Sequence, residues 1–262
     1  MIEDIPNPGK INWAIVVLFV ALMFALLFYF DRAIAADSDQ AHQIAQKTID
    51  AMGGMDNWKQ VGAIRFNFEV DVAGSQPHSV KHLWDHKNGR DHIEGTKDGK
   101  VMVAWVDMGK KTGAAWLDGK KLEGNDLKQA MDWAFGRWVN DTYWLIMPLK
   151  MLDTGVTMKY EGEKNGHDVL HLSFGKVGLT PGDQYWAYMN KTTGLMDRWE
   201  YHLEGGDKGD WNWMDWSEYG KIKLSKTKVQ VDKKVTIRFE PLQVMDSADA
   251  SYFAQTEKRL TP

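Results

Sequence analysis

The apolar rhythm of the chain changes three times. From Ile11 to Phe30 only Asn12 is polar, and at about 1.5 Å per residue such a run spans roughly 30 Å, the hydrocarbon thickness of a bilayer. SDQAHQIAQKTIDAMGG then repeats Ala41, Ile44, Ala45, Ile49 and Met52 at helical spacing, with Gly53-Gly54 as the stop. Beyond it the period drops to two. IRFNFEVDV places Ile64, Phe66, Phe68, Val70 and Val72 on one strand face. SVKHLWDH, DHIEGT, KVMVAWVDM and AAWLDG continue the alternation, separated by KNG, KDGK, GKKTG and DGKK, where Gly or Asn supplies the positive φ of hairpin turns.

A second helical block interrupts these strands. NDLKQAMDWAFGRWV starts at an N-cap on Asn125 or Asp126 and aligns Leu127, Ala130, Met131, Ala134, Phe135 and Trp138. NDTYWLIMPLKMLDTG follows, broken at Pro148. Strands resume with VTMKYEGE, DVLHLSF, DQYWAYMN, LMDRWEYHLE, WNWMDWSEYGKIKLS and KVTIRFEPLQV. The fold class is mainly β: an antiparallel meander of about ten strands forming a half-open barrel, which avoids open edges by curling. Helices lie against its inner face, and one transmembrane helix precedes it. The expected organisation is an N-terminal cytoplasmic tail over residues 1–10, a transmembrane helix over 11–32 and a periplasmic β-domain over 33–262.

The first apolar run has two readings, a cleaved secretion signal or a retained anchor. A signal's apolar region is typically about 7–15 residues behind a basic start. Here Glu3 and Asp4 oppose Lys10, and the Ala33-Ile34-Ala35 cleavage pattern is set apart by Asp31 and Arg32. Trp13 and Tyr29 lie near the two ends, where aromatic rings favour the headgroup level. These features favour an inner-membrane, single-pass anchor with the bulk of the chain in the periplasm. Ala14, Ala21 and Ala25 share roughly one face and would permit close helix packing in lipid.

Composition narrows the function. A net charge of −4 gives no electrostatic reason to expect nucleic acid. With no cysteine, a thiolate nucleophile or thiolate metal ligand is impossible. There is no HExxH, no Gly-x-Ser-x-Gly and no phosphate-cradling loop. No cofactor is expected and no catalytic or metal residue is nominated. Thirteen tryptophans is a high count; they can line an apolar cavity, stack sugars or fill a core.

Three clusters carry candidate chemistry. In LWDHKNGRDH a turn on Asn88-Gly89 sets His86 opposite Asp91 and Asp85 opposite His92, as acid–imidazole pairs or as polar pairs of an exposed hairpin. His82 shares a strand face with His86 but lies about 13 Å away, too far to share an ion. TYWLIMPLK is apolar at almost every position, and Trp144, Leu145, Ile146 and Met147 are candidates for an interface, a ligand site or a plug of the barrel. In WNWMDW, Trp211 and Trp213 alternate onto one strand face, either as a platform or buried between wall and helix.

The strings GRWVNDTYWLIMPLKMLDTGV, LHLSFGKVGLTPGDQYWAYMNKTTGLMDRWEY and HLWDHKNGRDHIEG resemble an uncharacterised exported bacterial family. The element order over residues 39–245 resembles the periplasmic lipoprotein-carrier (LolA/LolB-like) half-barrel. That resemblance implies helices lidding an apolar cavity and implies no catalytic residues. The leading expectation is a non-enzymatic accessory or scaffold subunit docking onto a membrane protein complex, photosynthetic or respiratory assemblies being examples, with the lipid bilayer as a further partner. The alternative is a binder or carrier of lipid, acyl chains or another apolar ligand in the half-barrel. An enzyme on glycans, using the tryptophans and His86/Asp91, ranks last. A carrier needs an empty cavity of roughly 300–1,000 Å³. A scaffold needs a filled barrel and an outer apolar patch.

Overall fold

A computed structural model describes residues 38–260 except 74, 76, 176–179, 181 and 232–233. The expected membrane span and its Ala14, Ala21 and Ala25 lie outside the described residues. Among those described, no helix is long and apolar enough to cross a membrane.

Helix α1 (residues 38–51) buries Ala41, Ile44, Ala45 and Ile49, and Met52 just past its end completes the stripe its spacing predicts. It stops at Gly53 (φ 110), where a Cβ would meet the Lys221 carbonyl at 2.2 Å, so only glycine lets the chain turn there. A short α2 (Met55–Lys59) leads into the first meander. This comprises β1 (Ala63–Val72), β2 (His78–Asp85), β3 (Arg90–Lys97), β4 (Lys100–Asp107), β5 (Thr112–Leu117) and β6 (Lys120–Lys121). Helix α3 (Gly124–Ile146) and a 3-10 turn (Met147–Lys150) follow. The second meander runs through β7 (Val156–Lys164), β8 (His167–Phe174), β9 (Gln184–Asn190), β10 (Met196–His202), β11 (Lys208–Tyr219), β12 (Ile222–Gln230) and β13 (Val235–Met245).

The two meanders form one antiparallel sheet in the order β6-β5-β4-β3-β2-β1-β13-β12-β11-β10-β9-β8-β7. The long β1–β13 ladder joins first strand to last, from Ala63 opposite Met245 to Val72 opposite Val235. The two edge strands, β6 and β7, are the ones α3 connects, so the helix crosses the inner face from one edge to the other. Thirteen strands replace the expected ten or so. The string WNWMDWSEYGKIKLS is two strands hinged at Gly220 (φ 64), and β6 is too short for periodicity to register.

The inner face carries the core. Ile64, Phe66 and Phe68 of β1 join Leu170, Leu172, Trp199, Trp213, Leu224 and Phe239 from the second meander. The first half of α3 packs Ala130, Met131 and Ala134 onto Val80, Ile93, Ala104 and Ala115. Gly113 lies beneath it, where a Cβ would sit 1.9 Å from the Trp105 carbonyl and 3.1 Å from the Met131 sulfur. The outer face of β2–β4 is covered by the C-terminal segment. Trp105 Nε1 donates to the Ala254 carbonyl (2.6 Å), His92 Nδ1 to that of Tyr252 (2.9 Å), and the Arg90 guanidinium lies 4.3 Å from the Phe253 ring.

One local expectation is corrected. Helix α3 begins at Gly124 behind Glu123, which makes no side-chain cap, so Asn125 and Asp126 lie inside the first turn. The helix runs on through Asn140-Asp141-Thr142 to Ile146, and the 3-10 turn holding Pro148 ends it where the sequence placed the break. Asp141 is held by ion pairs, and the Thr142 hydroxyl donates back to the Trp138 carbonyl at 2.6 Å.

Candidate functional site: an aromatic cavity beneath a latched helix

The LWDHKNGRDH hairpin does not pair as predicted. Its loop is a 3-10 turn, His86–Asn88, closed by Gly89 in the left-handed region (φ 63), instead of a two-residue turn. The register therefore pairs Asp85 with Arg90, Trp84 with Asp91 and Leu83 with His92. His86 does not face Asp91, and Asp85 does not face His92. Asp85 instead binds the Arg90 guanidinium (2.5 Å) and the Asn88 amide. His86 Nδ1 donates to the Val61 carbonyl at 2.9 Å. His92 turns outward, with Glu94 at 3.4 Å.

Asp91 points inward to His82, a residue the spacing argument set aside. The His82 ring is fully buried and stacked on Phe66, 4.6 Å between centroids. Its Nδ1 lies 2.7 Å from Asp91 Oδ2 and its Nε2 2.9 Å from Asp141 Oδ2. A carboxylate only accepts, so each ring nitrogen donates and the ring is an imidazolium. Burial alone would depress this histidine. The charge of Asp91 and the hydrogen bonds to Asp141 and Asp91 outweigh it, raising the pKa to about 9. Arg137, one turn before Asp141, adds a second cation at 2.7 Å, so the node holds two cations and two carboxylates. It ties α3 to β2 and β3.

Just past this latch the interior opens into a cavity of about 650 Å³. One wall comes from α2, β2 and the loop after it: Trp58 lies 5.8 Å from Trp84 and 4.4 Å from His86, and Trp84 lies 6.1 Å from Trp138 of α3. The opposite wall comes from β8–β10, with Phe174, Tyr185, Trp199 and Tyr201 at ring separations of 4.8 to 5.5 Å. The second half of α3 and the 3-10 turn lie between, through Tyr143, Trp144, Ile146 and Leu149. The indole N–H groups of Trp138 and Trp199 have no hydrogen-bond partner. Burial pushes the Tyr143 and Tyr185 hydroxyls upward, with the Asp183 charge adding to the effect at Tyr185, so both remain neutral phenols.

Of the apolar candidates, Trp144 and Ile146 line this cavity. Leu145 and Met147 are fully buried in the core beside it. Trp211 and Trp213 are core residues rather than an exposed platform: Trp144 packs on Trp211 at 4.8 Å and Trp199 lies 6.0 Å from Trp213. Lys228 is also enclosed here, its Nζ donating to the Ser225 carbonyl at 2.6 Å and lying 4.3 Å from the Trp213 and Phe239 rings. Burial drives its pKa well down, but it does not line the cavity. Among the described residues, no three His, Asp or Glu side chains converge as a metal site. Sequence reasoning missed His82, Arg137 and Asp141 of the latch, and Trp58, Trp84, Trp138, Tyr185 and Trp199 of the cavity. The Arg137–Asp141 spacing, one helical turn, and the tryptophan count were the available signals.

No family model and no curated protein matches the chain. Among solved structures it is similar to a DUF1329 family protein from Desulfovibrio piger, at 13% identity and TM-score 0.49 over 83% of this chain and 97% of that one. It is similar also to a LolA superfamily protein from Nitrosomonas europaea, at 8% identity and TM-score 0.46 over 82% and 97%. These neighbours are of the two kinds the sequence resemblance named. At these values the likeness carries no function or site onto this chain.

Proposed function

We propose that this chain is a non-enzymatic binding protein that holds an apolar or amphiphilic ligand in the cavity beneath α3. The observation that carries the reading is the 650 Å³ space walled by indole, phenol and aliphatic side chains, within the range typical of small-molecule pockets. Protein interiors are close-packed, with few voids larger than a water molecule, so a space of this size is not an ordinary packing defect. The apolar run from Ile11 to Phe30 supports membrane attachment. The protein then acts as a tethered periplasmic receptor on the inner membrane rather than as a free shuttle.

The scaffold reading draws less support. Among the described residues the exposed large apolar side chains are Val72 of β1, Leu152 of the turn after Lys150 and Met214 of β11. Surfaces that dock onto integral complexes need a larger contiguous patch. One experiment tests both readings: mild detergent extraction of the full chain from its native membrane, followed by native mass spectrometry. A chain carrying a stoichiometric lipid-like adduct is expected. An adduct-free chain in fixed ratio with an integral complex would favour the scaffold and count against the binder.

A further inference from the structure

The charge in the cavity wall is uneven, and it bears on what the cavity holds; this inference rests on the ligand-binding reading above. The lining includes one ammonium, Lys150, and two carboxylates, Asp153 and Asp183. Lys150 and Asp153 meet at 2.5 Å, both partly exposed, and answer each other's charge. Asp183 is different: it is 2% exposed. Its Oδ2 accepts from the Thr180 hydroxyl (2.5 Å) and the Tyr185 hydroxyl (3.0 Å), and its Oδ1 from the Glu204 backbone N–H (2.9 Å). All three donors are neutral, and no cation among the described residues forms an ion pair with it. An ionised carboxyl offers about four acceptor positions, so Oδ1 keeps one free. Burying a negative charge without a cation is unfavourable. Its place in a cavity wall allows a ligand to supply one.

The rings beside Asp183 point the same way. Tyr185 lies 4.8 Å from Phe174, 5.1 Å from Trp199 and 5.9 Å from Tyr143. These rings meet at 64°, 89° and 49°, as tilted or edge-to-face neighbours, so they are not stacked face on face. Aromatic faces carry negative potential and attract cations most strongly where water is excluded. A plain alkyl chain gains apolar area from these rings but makes no use of the negative potential of their faces.

We propose that the cavity selects an amphiphile with a cationic ammonium headgroup. The ammonium lies against Asp183 among Tyr143, Phe174, Tyr185 and Trp199, and the apolar tail extends toward Trp58 and Trp84. A quaternary ammonium meets Asp183 as a point charge; a protonated amine also donates to the free Oδ1 position.

Tryptophan fluorescence of the full chain, titrated below the micelle threshold with dodecyltrimethylammonium, dodecanol and dodecanoate, tests this. The cationic probe is expected to bind at least tenfold more tightly than the other two. Asp183→Asn should weaken the cation at least tenfold and leave dodecanol within twofold. Phe174→Leu, which keeps apolar volume and removes a ring face, should weaken the cation about threefold with dodecanol unchanged, so the proposal does not depend on how the Asn variant folds. Equal binding of dodecanol or dodecanoate, or an unchanged cation affinity in both variants, overturns the headgroup assignment and leaves the binding reading in place. Failure of all three probes overturns both. Tetramethylammonium binding as tightly as the dodecyl compound would also overturn the proposal, because the ligand would then be a free small amine.

Discussion

The two halves of α3 rest on opposite kinds of wall. In the first half Ala130 and Ala134 sit on Ala104 and Ala115, above Gly113. Small residues on both sides bring helix and sheet into close contact there. In the second half Trp138 meets Trp84 at 6.1 Å, Tyr143 meets Tyr185 at 5.9 Å and Trp144 meets Trp199 at 4.6 Å, and about 650 Å³ stays open beside these contacts. Large rings with unpartnered N–H groups hold the walls apart, where alanines would let them close. Between the halves sits the buried His82–Asp91–Asp141–Arg137 node, which anchors the helix where its packing changes. The cavity is thus held open by a fixed helix spanning aromatic walls.

Breaking the node should have the largest effect on that difference. Asp141→Ala leaves the buried His82 with Asp91 alone and takes away the carboxylate that Arg137 pairs with, and the expected loss is about 3–5 kcal/mol in a denaturant titration. The close-packed and hollow halves should also respond oppositely to added bulk. Ala134→Leu, on the close-packed half, should cost about 1–3 kcal/mol. Val139→Trp, facing the cavity, should stay within about 1 kcal/mol of wild type and abolish ligand binding.

The node also sets a pH dependence. His82 has a folded value of about 9 against an ordinary 6.5, a raised pKa. Its stabilisation is therefore complete below about 6.5 and declines as the pH rises through 9. By pH 10, above both values, nearly all of it is gone, a loss of about 3 kcal/mol for a shift from 6.5 to about 9. His82→Gln should remove this alkaline decline from the stability profile, and an unchanged decline would refute the assignment. The smallest change belongs to Trp138→Phe. Its indole N–H has no partner to lose, so denaturation should report a shift of about 1 kcal/mol or less.

Much of this architecture was legible in the sequence. The stripe from Ala41 to Met52 and the alternation from Ile64 to Phe68 are local periodicities, and both are buried as read. The site was legible only in part. Trp144 and Ile146 were nominated from their run and do line the cavity. The hairpin chemistry was misread because one 3-10 turn at His86–Asn88 shifts the register. That shift keeps each residue on its face but slides the pairs, so Asp91 stands opposite Trp84 within reach of His82, and Asp85 stands opposite Arg90. The latch itself joins His82 to Asp141 across 59 positions of chain, a distance no periodicity reports. Whether aromatic residues enclose a space or fill one depends on the separation of walls from distant strands, which face patterning does not encode.

The most direct test of the central claim is a titration with N-phenyl-1-naphthylamine, a neutral apolar fluorophore, of wild type and Val139→Trp at matched stability. Wild type is expected to show one saturable site with energy transfer from the cavity tryptophans, and the filled variant none. Equal binding by both proteins, or none by wild type, would contradict the account.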